Sequence, residues 1–199
     1  MKGYQQINIW DPVTRLWHWV LVFSVVIGWS FGRFMDFDTV TWHFYLGYCT
    51  GGLILFRCCW GIFGPKPIRF SSLINSTRDT VDYLKHFLSR KPSGTAGHNP
   101  VGSLSVIAMI LLLGTQAATG LFVESDDFFE SGPLAAYASE DIIRRMTWIH
   151  RLLADWILVI VALHVSAILF YLIWKKENLI KPMISGWKWV EKGSGTLPK

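Results

Sequence analysis

Residues 147–174 read TWIHRLLADWILVIVALHVSAILFYLIW. The stretch is longer than the roughly 20 apolar residues that a membrane crossing requires. It carries two histidines, His150 and His164. On an α-helix their separation is a rise of roughly 21 Å and a rotation only about 40° short of whole turns. Both imidazoles therefore face one side of the helix, at two depths. An ionisable side chain inside a span is costly and marks function by default.

The rest of the chain fits a membrane setting. Of 199 residues 51% are apolar and 17% charged, with 11 Trp and 13 Phe, and the mean hydropathy is +0.33. This profile indicates a polytopic membrane protein and not a soluble domain. The net charge is +5. The basic residues flank apolar stretches instead of lining one soluble face, which argues against nucleic acid as a partner. Four spans are expected, at about 16–34, 42–63, 100–123 and 147–174, in one domain covering residues 1–199. The fourth exceeds bilayer thickness and is expected to tilt or protrude. The first is too long for a signal-peptide core and no small-residue cleavage site follows it, so it is read as a retained span.

Loop charges orient the spans. The N-terminal tail carries Lys2 and Arg15 against Asp11, and the first loop Asp36 and Asp38 against Arg33. The second loop is basic, with Lys66, Arg69, Arg78, Lys85, Arg90 and Lys91 against Asp79 and Asp82. The third holds Glu124, Asp126, Asp127, Glu130, Glu140 and Asp141 against Arg144 and Arg145. The tail is basic again, with Lys175, Lys176, Lys181, Lys188, Lys192 and Lys199. The Lys/Arg excess alternates at every crossing, which predicts both termini in the cytoplasm. Within the second loop, Ser76 to Ser89 places Val81, Leu84 and Leu88 on one helical face, as in an amphipathic helix on the inner membrane surface. Ser139 to Met146 reads as a short helix leading into the fourth span.

Cysteine usage points to packing. Cys49, Cys58 and Cys59 fall in or beside one apolar segment, and small apolar packing residues are the simplest account of them. No C-x-x-C-H motif marks covalent haem attachment.

Topology decides which histidines can meet. His18 opens the first span at the inner side and His43 opens the second at the outer side. The fourth span enters from outside, so His150 is shallow on the outer side and His164 lies deeper. The depth-matched pairs are His43 with His150 and His18 with His164. Imidazole is a common axial ligand of haem iron, and facing helices of a bundle are a usual place for a cofactor. Zinc is the weaker alternative, because its sites gather three or four ligands at one point. Gly28 and Gly32, Gly47 and Gly51, and Gly114, Ala118 and Gly120 offer room for a planar macrocycle, or simply ordinary small-residue packing. Arg15 on the inner side, and Arg33 or Arg151 on the outer, are candidates to pair with haem propionates. His98, before Pro100, is a candidate for a quinone site or a helix cap, and His86 reads as solvated.

The pattern Arg15-Leu16-Trp17-His18-Trp19, then His43, His150 and His164, resembles the prokaryotic cytochrome b561 family, which includes b-type cytochrome subunits of nickel–iron hydrogenases. The stretches Gly97-His98-Asn99-Pro100-Val101-Gly102 and Asn178 to Gly186 resemble it too. The resemblance implies an all-α integral membrane four-helix bundle with two non-covalent haem b groups. Carried over by position, it implies His18, His43, His150 and His164 as the iron ligands.

Two bis-histidine haems, one near each face, imply one-electron transfer across the membrane. The leading expectation is an electron carrier in the bacterial inner membrane. It would link the quinone pool, ubiquinone or menaquinone, to a periplasmic partner such as a c-type cytochrome. The acidic third loop motivates a basic partner. The alternatives are a superoxide:ubiquinone oxidoreductase, an activity found in some family members, and the b-type subunit of a hydrogenase or other dehydrogenase. A haem-free scaffold or transporter is the remaining reading. The sequence leaves a homo-oligomer open.

Overall fold

The computed structural model describes residues 4–74, 76–90, 99–125 and 130–191. The order of elements is β1 (Tyr4–Asn8), α1 (Pro12–Arg33), α2 (Val40–Phe63), a 3₁₀ turn (Lys66–Ile68) and α3 (Phe70–Leu73). Then follow α4 (Thr77–Lys85), α5 (Pro100–Gly120), β2 (Glu124–Ser125), β3 (Glu130–Ser131) and a second 3₁₀ turn (Ala135–Tyr137). The chain continues with α6 (Glu140–Ile173), α7 (Ile180–Ser185) and β4 (Trp187–Glu191). Helices α1, α2, α5 and α6 are long and apolar enough to cross a membrane. Large side chains on them stay exposed, among them Phe23 (62%), Leu55 (70%), Leu111 (66%) and Leu163 (64%). Hydrocarbon would meet such side chains as readily as a protein core, because association in lipid does not depend on hiding apolar surface.

Helix ends follow local chemistry, which accounts for small shifts from the expected spans. Helix α1 starts earlier because Asp11 caps it: its carboxylate accepts from Thr14 N at 3.0 Å and from the Thr14 hydroxyl at 2.7 Å, with Pro12 as first helical residue. Asp36 organises the turn before α2, accepting from the Thr39 hydroxyl and from the Thr39 and Asp38 amides. The Thr39 hydroxyl, above all, holds the Asp36 carboxyl below its ordinary pKa. Asn99 caps α5, its side-chain oxygen accepting from Gly102 N at 2.8 Å. The same helix stops at Gly120 instead of Val123. Its last turn tightens to i→i+3 bonds, Leu121 N to Ala118 O and Phe122 N to Thr119 O, and the chain turns into the β2–β3 hairpin. Gly132 closes that turn: a Cβ there would lie 2.3 Å from the Leu121 carbonyl oxygen. The short helix expected at 139–146 is the first part of the continuous 34-residue α6, whose opening Glu140 and Asp141 suit the positive end of the helix dipole.

The chain forms two compact units. The first comprises Trp17–Arg57 and Met109–Val161, the second Met1–Leu16, Cys58–Ala108 and Ala162–Lys199. In the first, parts of α1, α2, α5 and α6 pack together. Trp17 Nε1 donates to Leu53 O at 2.8 Å and Trp29 Nε1 to Ala154 O at 3.1 Å. Gly51 faces Ala117, and Gly114 faces Ile54, so these two glycines serve close packing of α2 on α5.

The second unit joins the chain ends. Strand β1 pairs antiparallel with β4, Tyr4 opposite Glu191 and Asn8 opposite Trp187. Gly186, at φ +85°, ends α7 in the left-handed region, and its carbonyl accepts from Ile9 N and Trp10 N. Lys188 pairs with Glu177 at 2.7 Å. Helix α4 is shorter than the expected 76–89. Tyr83, and Phe87 just beyond the helix, turn inward, with Phe87 stacked on Phe170 at 5.1 Å. Val81, Leu84 and Leu88 are exposed, the face expected to lie on the membrane. Lys175 is buried, its Nζ 5.5–6.0 Å from the rings of Tyr83, Phe87 and Tyr171.

Burial, with Glu177 adding repulsion, raises the Tyr83 pKa from 10.0 to about 12. A raised folded-state value means that the stability Tyr83 contributes is complete below the unfolded pKa and is lost as pH rises through the folded one. Spectrophotometric titration of phenolate should show one tyrosine ionising near pH 12. The Tyr83→Phe variant should lack that step and lose less stability between pH 10 and 12.

Candidate functional site

The first unit brings His43 and His150 together. Their ring centroids are 6.1 Å apart and the planes stand at 89°. Each ring is fixed through one nitrogen to a helix carbonyl. His43 Nδ1 lies 2.8 Å from Gly28 O on α1, and His150 Nδ1 lies 3.0 Å from Gln116 O on α5. A carbonyl only accepts, so Nδ1 carries the proton in both rings and Nε2 keeps its lone pair. The Thr119 hydroxyl is 3.3 Å from His150 Nδ1 and donates to the carbonyls of Thr115 and Gln116. Its lone pair therefore shares the His150 proton.

Glycines make this possible by close approach. A Cβ on Gly32 would lie 2.7 Å from His43 Cε1, and one on Gly120 would lie 3.0 Å from His150 Cε1. Of the small residues singled out from the sequence, Gly28, Gly32, Gly47 and Gly120 line a cavity of about 550 Å³, which both histidines also line. That volume is within the usual range of ligand pockets, roughly 300–1,000 Å³. Arg33, Arg151, Glu124 and Asp155 line it too.

An ion about 2 Å from each ligating nitrogen puts the ring centroids roughly 6 Å apart, against 6.1 Å here. Backbone carbonyls that fix the distal nitrogen are the usual support for such ligands. Among the described residues no three His, Cys, Asp or Glu side chains gather in a metal-binding group. Haem iron suits a pair of imidazoles with room for a macrocycle between helices.

The other sequence candidates are placed as follows. His18, on α1, meets Trp19 edge-on at 5.3 Å and belongs to the first unit, while His164, on α6, belongs to the second. Their pairing rests on the sequence argument. Arg15 is half-buried, and its guanidinium donates to the Ile184 carbonyl. Arg33 and Arg151 are exposed at the cavity. His86 is exposed and its Nδ1 donates to Asp82 O at 2.9 Å. His98, Lys91, Asp126, Asp127, Lys192 and Lys199 lie outside the described residues.

Sequence reasoning passed over Gln116 and Thr119, polar residues at i and i+3 near the end of the third span, a spacing that marks one face of a helix. It also passed over Asp155, a carboxylate inside the fourth span. Arg57 is a charge inside the second span. It is buried at 4% exposure, with its guanidinium carbon 5.9 Å from the ring of Trp17, the neighbour of His18.

Helices long and apolar enough to cross a membrane thus surround an imidazole pair beside a cavity of about 550 Å³. The comparison with known families is specific: the family model described as prokaryotic cytochrome b561 matches residues 9–186, and the chain belongs to that family. Among curated proteins it is similar to two described as a probable Ni/Fe-hydrogenase B-type cytochrome subunit. They come from Azotobacter chroococcum mcd 1 and Azotobacter vinelandii, and each is 25% identical over 219 residues, covering 92% of this chain and 88% of the relative. The sequence-level resemblance and the all-α membrane fold are both borne out. The protein is a membrane b-type cytochrome whose class of work is electron transfer.

Gly32→Ala would drive the new methyl into the His43 ring and off its Gly28 carbonyl. We expect this variant to bind less haem while staying helical. The check is haem stoichiometry by pyridine haemochrome alongside far-ultraviolet circular dichroism. An unchanged haem content would show that the close approach at Gly32 does not matter.

Proposed function

We propose that this cytochrome carries electrons through two bis-histidine b haems, one held by His43 and His150 and the other by His18 and His164. The observation that supports this most directly is the His43–His150 pair, with centroids 6.1 Å apart and both distal nitrogens tied to carbonyls. Held by these two imidazoles, haem would supply one-electron transfer. The protein's part is to fix the rings. Gly28 O and Gln116 O hold the tautomer and aim each Nε2. The apolar helices keep water from the ligands, and Arg33 and Arg151 present positive charge at the cavity to the haem propionates. Arg15 is proposed for the propionates of the second haem, by its position beside His18.

The setting we propose is the bacterial inner membrane, with both termini cytoplasmic, from the alternation of Lys/Arg excess along the loops. The His43–His150 haem then lies on the periplasmic side, and the other faces the cytoplasm. Electrons pass between the quinone pool and a periplasmic redox partner such as a c-type cytochrome. The acidic third loop supports a basic partner. A second reading, the cytochrome subunit of a hydrogenase or similar dehydrogenase, is favoured by the names of the two Azotobacter relatives. Co-purification of a large iron–sulfur subunit would establish it.

The purified protein should contain about two haems per chain with low-spin b-type spectra. Substituting His43 or His150 with Ala should leave about one haem, and so should substituting His18 or His164. One haem in the unsubstituted protein would remove one of the two sites. For the partner, stopped-flow electron exchange with a basic c-type cytochrome should slow steeply as salt is raised, as expected for steering by opposite charge. A rate indifferent to salt would count against the acidic loop as a docking surface.

A further inference from the structure

In the second unit, the end of the fourth span is tied to the end of the second loop. Trp174, the residue after α6, donates from its indole Nε1 to the Leu88 carbonyl at 2.9 Å. The Arg90 guanidinium lies over the same indole, its carbon 4.3 Å from the ring centroid. A guanidinium stacked by its face keeps its in-plane N–H groups free, in the fork that matches phosphate oxygens. Leu88 beside it is 71% exposed, and Leu84, four residues back, is exposed too. Two residues past Trp174, Lys176 takes φ 54°, and among the described residues it is the one non-glycine with a positive φ. Glycine fills such a helix-end position at the least cost. The lysine, whose side chain is exposed, stands there against backbone preference. Two carboxylates of this unit are already matched: Asp82 pairs with Lys85 at 3.6 Å and Glu177 with Lys188 at 2.7 Å. Neither Arg90 nor Lys176 has an ion-pair partner among the described residues.

We propose that Arg90 and Lys176, with the exposed Leu84 and Leu88, form a site for an anionic phospholipid such as phosphatidylglycerol. The two cations hold the phosphate, and the leucines and the Trp174 ring receive the upper part of an acyl chain. Two features select a lipid over free phosphate. Apolar side chains adjoin the cations, and a tryptophan at the end of a span marks the headgroup level. Charge then selects an anionic lipid over a neutral one, because Lys/Arg clusters beside the end of a span are drawn to anionic headgroups. The inference uses none of the candidate haem ligands and stands apart from the haem reading.

The test is the thermal unfolding midpoint of the detergent-purified full-length protein as lipid is titrated in, followed by circular dichroism. Phosphatidylglycerol should raise Tm more than the same amount of phosphatidylcholine, as a ligand of the folded state does. Arg90→Gln should need about fivefold more phosphatidylglycerol for half of that rise, the worth of one cation near an anionic surface. Lys176→Gly should show a similar loss. It should nevertheless be at least as stable as the parent in phosphatidylcholine, since glycine suits φ 54°. Lower stability of Lys176→Gly in both lipids would give the lysine a structural role and overturn its place in the site. Lys66→Gln removes a cation of the same loop that is not part of the site, and should behave as the parent. The proposal is overturned if Arg90→Gln and Lys176→Gly respond to phosphatidylglycerol as the parent does. It is overturned too if Lys66→Gln loses as much as they do, which would mean diffuse attraction, or if inorganic phosphate alone reproduces the rise, which would mean a site for a free anion.

Discussion

A bilayer offers no hydrogen bonds, so each polar group placed in it must find a partner on the protein. Much of this structure follows from that requirement. The hydroxyls of Ser30, Thr115 and Thr119 donate to carbonyls one turn back in their own helices. The indoles of Trp17 and Trp29 donate to carbonyls of neighbouring helices. The imidazoles of His43 and His150 do the same, and they are the polar groups that matter most. Satisfying Nδ1 with a carbonyl is the cheapest way to bury the ring. It also leaves Nε2 with its lone pair, so one bond both satisfies the buried ring and fixes its tautomer.

Helix contacts are set by small residues, because lipid gives little reason for helices to associate through apolar surface. The glycines divide by task. Gly51 and Gly114 let α2 and α5 pack against each other. Gly32 and Gly120 let the imidazoles approach the backbone, and Gly47, with no atom within 4 Å of where its Cβ would stand, borders open space in the cavity. The division turns on what each glycine faces across the helix interface, and a Gly-x-x-x-Gly spacing alone does not reveal it.

The second unit solves a different problem, how to end a long apolar helix beside charged tails. Lys175 lies on three aromatic rings, where its charge is favoured by their negative faces, and the half-buried Lys188 is matched by Glu177. Strand pairing between the chain ends uses backbone bonds that would otherwise need water. The arrangement also accounts for which face of α4 turns inward. Aromatic Tyr83 and Phe87 have partners in Phe170 and Lys175, and Val81, Leu84 and Leu88 have none as good within the chain.

The fourth span alone fixed much of the reading. Its length and its two histidines follow from composition and from the 3.6-residue period, which no tertiary contact can change. The four-span architecture and the family pattern were legible for the same reason: a span is a local property, set by the cost of charge in hydrocarbon. The meeting of His43 with His150 was legible through loop charge, since orientation matches depths. The start of α1 and the end of α5 lie a few residues from the expected bounds because Asp11 and the tightened turn after Gly120 act through hydrogen bonds that hydropathy does not record. Gln116 and Thr119 were invisible as parts of the site. A polar residue in a span can bond within its own helix, as the Thr119 hydroxyl also does, or reach a neighbour. Only the packing of α5 against α6 decides that Gln116 reaches both nitrogens of His150.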